Sequence, residues 1–166
     1  MKNIVLIGMP GSGKTTLGRY LAEILNRDFI DADPEIEKDA GKTIPELFAV
    51  SEDHFRDQET KTTQRLAKLE NKVLAMGGGV VLRKENITAL KENGWIIFID
   101  RSPEDIIADV DTETRPLLAA GRRRIYDLYA QRETLYRRAA DITVQNKGEL
   151  KAVLERLAGA AKTAEA

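Results

Sequence analysis

Apolar positions along this chain fall into two patterns that alternate. Short continuous runs at Asn3 to Ile7, Asp28 to Asp31, Lys72 to Ala75, Trp95 to Asp100 and Asp141 to Val144 have strand length and read as strands covered on both faces. Between them, Leu17, Tyr20, Leu21, Ile24 and Leu25 recur at three- and four-residue steps, which predicts an amphipathic helix from near Lys14. Ser51 followed by Glu52 and Asp53 predicts the N-cap and acidic first turn of a helix reaching about Leu69. Further helices fit Lys84 to Glu92, Pro103 to about Val110, Gly121 to Ala139, and Glu149 to about Ala160. Strands alternating with helices predict an α/β fold, a parallel sheet wrapped by helices. Asp111 to Ala120 lacks a period and is long enough to be a functional lid.

The turn after the first strand carries chemistry. Gly8-Met9-Pro10-Gly11-Ser12-Gly13-Lys14-Thr15 satisfies G-x-x-x-x-G-K-[ST] and lies between a buried strand and an amphipathic helix, where a phosphate-binding loop must lie. Its backbone N–H groups and the helix N-terminus attract phosphate, Lys14 reaches the β- and γ-phosphates, and the Thr15 hydroxyl ligates Mg²⁺. Gly11, Ser12, Gly13, Lys14, Thr15 and Thr16 are therefore the expected nucleotide-binding residues, with Mg²⁺ as the metal.

Acidic and basic residues then separate along the chain. Asp31-Ala32-Asp33 follows the second strand, and the carboxyl ends of parallel strands border the ligand crevice. One carboxylate can order water on Mg²⁺ while the other holds or deprotonates a substrate hydroxyl; an N-cap before Pro34 is the plain alternative. Asp100, at the end of Trp95-Ile96-Ile97-Phe98-Ile99-Asp100, competes for the metal or caps the next helix. From Arg115 to Arg138 seven arginines meet two acids, Asp127 and Glu133, which predicts an anionic partner. Arg122 to Arg124 and Arg137 to Arg138 read as a solvated helix face, whereas Arg115 in the lid can close onto a transferred phosphate. Arg56 either forks onto a substrate carboxylate or pairs with Glu59. His54 reads as a surface residue and Trp95 as core rim.

Composition narrows the classes without naming a partner. With 166 residues, 42% of them hydrophobic, the chain reads as one domain, and 26 Lys+Arg against 27 Asp+Glu leave a net charge of −1. The absence of cysteine excludes disulfides, thiolate nucleophiles and iron–sulfur centres, and a single histidine removes most histidine-rich metal sites. The first apolar run stops at Gly8, too short for a signal peptide, and no run reaches membrane-span length. A cytoplasmic monomer that binds neither nucleic acid nor membrane is the expectation.

Along nearly its whole length the chain resembles shikimate kinase. The phosphate loop is shared with many kinases; more specific are Asp31-Ala32-Asp33, Phe55-Arg56 with Glu59, Gly77-Gly78-Gly79, Arg115-Pro116-Leu117-Leu118, and Arg132 before Leu135-Tyr136-Arg137-Arg138. The resemblance implies transfer of the ATP γ-phosphoryl to the 3-hydroxyl of shikimate in aromatic amino-acid biosynthesis. It implies the P-loop NTPase fold of nucleoside monophosphate kinases, with a five-stranded parallel sheet in order 2-3-1-4-5, a substrate-binding helical region at about 32–60 and a mobile lid at about 110–121. By matching position, Asp33 binds the shikimate hydroxyls, Arg56 and Arg132 its carboxylate, and Gly78 and Gly79 its ring side through the backbone. Asp31 acts on Mg²⁺ through water, and Arg115 on the phosphate, so that Lys14, Asp33 and Arg115 form the catalytic set.

Two stretches depart from the family. Ile107-Ala108-Asp109-Val110-Asp111 lacks the arginine that usually stacks on adenine, and Gln145-Asn146-Lys147-Gly148 is short and lacks the usual proline. Two other readings compete: a kinase of another hydroxy acid such as gluconate, and a nucleotide switch suggested by Asn146-Lys147-Gly148-Glu149.

Overall fold

A computed structural model describes residues 1–113 and 119–165. Five parallel strands, β1 (Asn3–Ile7), β2 (Asp28–Asp31), β3 (Lys72–Ala75), β4 (Gly94–Asp100) and β5 (Ile142–Gln145), form one sheet in order β2-β3-β1-β4-β5. Val5 sits at the centre of the register, opposite Leu74 on one side and Ile96 on the other.

Eight helices were found among the described residues: α1 (Lys14–Leu25), α2 (Ala32–Ala40), α3 (Ile44–Val50), α4 (Glu52–Ala67), α5 (Lys84–Glu92), α6 (Pro103–Glu113), α7 (Ala119–Ala139) and α8 (Leu150–Lys162). The period-two geometry of the strands divides the core between two faces. Val5, Ile7, Leu74, Ile96 and Phe98 pack with Leu66 of α4, Leu90 of α5 and Tyr136 of α7. Ile4, Leu6, Val73, Ile97 and Ile99 pack with Leu17 and Leu21 of α1 and with Val153 and Leu157 of α8. Each such fully buried Ile, Leu or Phe stabilises the fold by about 1.5–3 kcal/mol. This is why the strands are apolar on both faces.

Several boundaries differ from the sequence reading. α6 continues to Glu113 and α7 begins at Ala119, so the aperiodic stretch expected from Asp111 to Ala120 is largely helical at its edges. Residues 114–118, including Arg115, lie outside the described residues, as does the middle of the expected lid. No apolar period marks the two helices after β2, which fall within the helical region at about 32–60 that the resemblance implies. Thr43 begins α3 with a capping box, its hydroxyl accepting from the Glu46 N–H while the Glu46 carboxylate accepts from the Thr43 N–H. That T-x-x-E signal is present in the sequence. Ile36, Leu47 and Phe55 close a small satellite core that fixes α2 and α3 against α4. Trp95 is half-buried at the rim and donates its indole N–H to the Ala160 carbonyl at 3.1 Å, and His54 is exposed, both as expected. No helix among the described residues is long and apolar enough to cross a membrane.

Candidate active site

The loop after β1 turns on Gly11 and Gly13, whose φ angles of 81° and 99° lie in the left-handed region. Lys14 opens α1, and its Nζ donates to the Gly8 and Met9 carbonyls at 2.7 and 2.9 Å, which seats the ammonium over the loop. Burial lowers its pKa to about 8, against the opposing fields of Asp33 and Asp31. Thr15 and Thr16 follow on the exposed side of α1.

Two neighbouring strand ends brace this loop. Asn146, just past β5, donates Nδ2 to the Ser12 carbonyl at 2.7 Å and its backbone N–H to the Asp100 carbonyl at 2.8 Å. Past the end of β4, Arg101 donates to the Gly11 carbonyl at 3.0 Å and pairs with Asp109 at 2.6 Å. Of the two stretches flagged as departures, 145–148 thus touches the phosphate loop directly through Asn146, and 107–111 reaches it through Arg101.

On the β2 and β3 side the loop borders a cleft of ≈ 490 Å³. Asp31, Asp33, Arg56, Glu59, Gly77, Gly78, Gly79 and Arg132 all line it, together with Lys14 and Thr15. Asp31 fills the capping role considered for it and also meets Thr15. Its Oδ1 accepts from the Asp33 N–H at 3.2 Å and caps α2, while its Oδ2 accepts from the Thr15 hydroxyl at 3.1 Å. This pair of hard oxygen donors fits Mg²⁺, which takes one or two carboxylates and fills its remaining positions with water and phosphate. Surrounding atoms raise the pKa of Asp33, the Asp31 charge adds to the rise, and Lys14 opposes it.

Arg56 forms the Glu59 pair, one of the two roles expected of it, and keeps its guanidinium on the cleft. Its Nη1 bonds Glu59 at 3.0 Å, yet the guanidinium still faces the cleft, 5.0 Å from the ring centre of Phe55 and 5.9 Å from that of Phe48. Those rings stack on each other at 4.3 Å, so the cation is held on one side by aromatic faces and on the other by a carboxylate. Glu59 is buried, and burial raises its pKa while Arg56 opposes the rise. The glycine run exists because the walls are close: a Cβ on Gly78 would lie 2.7 Å from Pro10, and one on Gly79 would overlap the Arg56 guanidinium.

One sequence reading needs correction and two are extended. Arg124 is exposed, as the solvated-face reading expects, and it also lines the cleft one turn of helix from Leu128 and two from Arg132, because that stripe of α7 faces it. Arg137 is likewise exposed and in addition bonds Asp100 and Glu133 at 2.9 Å each. Asp100 does not cap the next helix. Ser102 does, accepting from the Asp105 N–H at 3.1 Å, and the Asp100 carboxylate instead accepts from Tyr129, Arg137 and Gln145. Phe48, Ile44 and Leu128, which also line the cleft, carried no sequence signal beyond their apolar type.

The geometry is that of a small-molecule kinase, and comparison with known proteins agrees. The shikimate kinase family model matches residues 10–162. The shikimate kinase of Clostridium beijerinckii is 51% identical over 151 residues, 90% of this chain and 89% of the relative. That of Clostridium botulinum is 46% identical over 158 residues, 95% and 96% of the two chains. Among solved structures, the shikimate kinase of Acinetobacter baumannii in complex with shikimate superposes with a TM-score of 0.87 at 34% identity, covering 99% of this chain and 95% of that one. A gluconokinase from Sinorhizobium meliloti, at 20% identity and a TM-score of 0.65, shares the fold alone. By family model, relatives and site, the chain belongs to the shikimate kinase family.

Proposed function

We propose that the chain transfers the γ-phosphoryl of ATP to the 3-hydroxyl of shikimate, a step of aromatic amino-acid biosynthesis, as a cytoplasmic monomer. The observation that carries the reading is the arrangement of one cleft: cations Arg56 and Arg132 with Gly78 and Gly79, and the carboxylate of Asp33 beside Lys14. A small carboxylate bearing ring hydroxyls needs a guanidinium fork for the one group and an oriented acid for the other. The segment 32–60 supplies Asp33, Phe48, Phe55 and Arg56 and forms the acceptor region of a single domain.

In this reading the loop amides and Lys14 hold the triphosphate, with Gly11, Ser12, Gly13, Thr15 and Thr16 around it. Thr15, and Asp31 through water, would hold Mg²⁺, which would supply charge neutralisation to the phosphates. Asp33 orients the acceptor hydroxyl and takes its proton as the new oxygen–phosphorus bond forms and the bond to ADP breaks. Its raised pKa makes it the better acceptor of that proton. Arg115, outside the described residues, neutralises the transferred group when the lid at about 110–121 closes.

The test is product identity. With ATP, Mg²⁺ and shikimate, ADP release should depend on shikimate and a single phosphate ester should appear at the 3-position by phosphorus NMR. Folded protein that releases no shikimate-dependent ADP would overturn the reading.

A further inference from the structure

Tyr136 is fully buried beneath the cleft, stacked on Phe98 with ring centres 5.0 Å apart, and none of its atoms lines the acceptor site. Its hydroxyl nevertheless touches a group that does. It donates to the Gly78 carbonyl at 2.6 Å, and the Arg132 cation acts on the same phenol through its field. A carbonyl can only accept, so the phenolic proton points at Gly78.

The carbonyl contact also sets an N–H. Every peptide among the described residues is trans, and in a planar trans peptide the carbonyl and the next N–H point in opposite directions. Holding the Gly78 oxygen down toward Tyr136 therefore turns the Gly79 N–H the other way, toward the cleft that Gly79 lines. Neither Gly78 nor Gly79 donates its N–H to a carbonyl among the described residues. A donor left free beside two guanidinium groups suits an anionic oxygen.

We infer that Tyr136 is a positioning residue for the acceptor carboxylate, its hydroxyl holding the Gly78 carbonyl so that the Gly79 N–H faces the cleft. The inference rests on the proposed placement of that carboxylate. Burial raises the Tyr136 pKa against the pull of Arg132, so the phenol keeps its proton at neutral pH. Glu59 and Arg56 act from α4 on the opposite wall, where Arg56 lies over Gly79.

Tyr136→Phe removes only the oxygen and keeps the ring on Phe98. The expected result is a KM for shikimate raised about tenfold, the loss of one charge-assisted contact, with the KM for ATP and the melting temperature nearly unchanged. In the unaltered protein, shikimate should shift the Gly79 amide resonance, a readout that does not depend on how the variant folds. An unchanged shikimate KM in folded Tyr136→Phe, or a Gly79 amide indifferent to shikimate, would overturn the inference. If the unaltered protein does not phosphorylate shikimate, the proposed function fails instead, and the two failures are distinct.

Discussion

Arg101 and Asp109 face each other at the nucleotide edge of the phosphate loop, the guanidinium 2.6 Å from the carboxylate and 3.0 Å from the Gly11 carbonyl. Asp109 thus has a structural partner, and it steadies a cation that holds the loop. Read from sequence alone, an arginine at 108 or 109 would improve ATP binding by stacking on the base. The structure separates the two positions. Asp109→Arg removes the partner of Arg101 and sets two cations together, so the KM for ATP should rise a few-fold, in keeping with an exposed pair worth about 0.2–1 kcal/mol. Ala108→Arg keeps the pair and should lower that KM. Steady-state constants for both variants check this.

Nucleotide affinity should depend on the charge of Lys14. Its pKa in the free protein is lowered to about 8, chiefly by burial, and phosphate binds the protonated form, so the bound-state pKa is higher. Affinity for ADP is accordingly full below pH 8 and declines as pH rises through and above that value, by up to about tenfold per unit. Calorimetry at pH 8.5 should show proton uptake on binding. A constant affinity from pH 7 to 9.5 would contradict the assignment.

Asp33 and Asp100 should fail in opposite ways. Asp100 is 5% exposed and accepts from Tyr129, Arg137 and Gln145, so Asp100→Asn leaves charged Arg137 short of its partner and should cost about 1–3 kcal/mol, a melting temperature lower by several degrees. Asp33→Asn should leave the melting temperature almost unchanged while turnover falls sharply, because the amide keeps the shape and loses the proton acceptor. Thermal unfolding and turnover measured on both variants separate the roles.

Arg56→Lys should raise the KM for shikimate by roughly tenfold or more and that for ATP little, since an ammonium cannot fork onto a carboxylate while also bonding Glu59. Arg132→Lys should behave alike. Equal changes in both constants, in folded protein, would remove the carboxylate from this end of the cleft.

What the sequence makes legible follows the range of the interactions involved. The phosphate loop is local, eight consecutive residues between a strand and a helix, and continuous apolar runs such as Ile4 to Ile7 disclose strands buried on both faces. The partners of Asp100 lie 29, 37 and 45 residues downstream, and no local pattern announces them. The cleft contact of Arg124 and the ion pairs of Arg137 were not legible for a related reason: the rotation of α7 is set by Tyr136 and Leu128 packing against the sheet, and a helix bearing arginines all around does not disclose its inner face. α2 and α3 are short, and the small cluster that anchors them on Phe55 of α4 draws on Ile36, Ala40, Ile44 and Leu47, too few apolar positions in either helix to show a period. The site residues Asp31, Asp33, Arg56, Gly78, Gly79 and Arg132 do meet in one cleft, and their legibility came from resemblance and residue chemistry together.

The most direct test of the account is a comparison of specificity constants, with ATP saturating, for shikimate, quinate and gluconate. A rigid cleft with Arg56 and Arg132 at one end and Asp33 at the other should favour shikimate over gluconate by at least about a hundredfold, near 2.7 kcal/mol at 1.4 per decade. Equal constants, or a preference for gluconate, would contradict the central claim and leave this chain a kinase of another hydroxy acid.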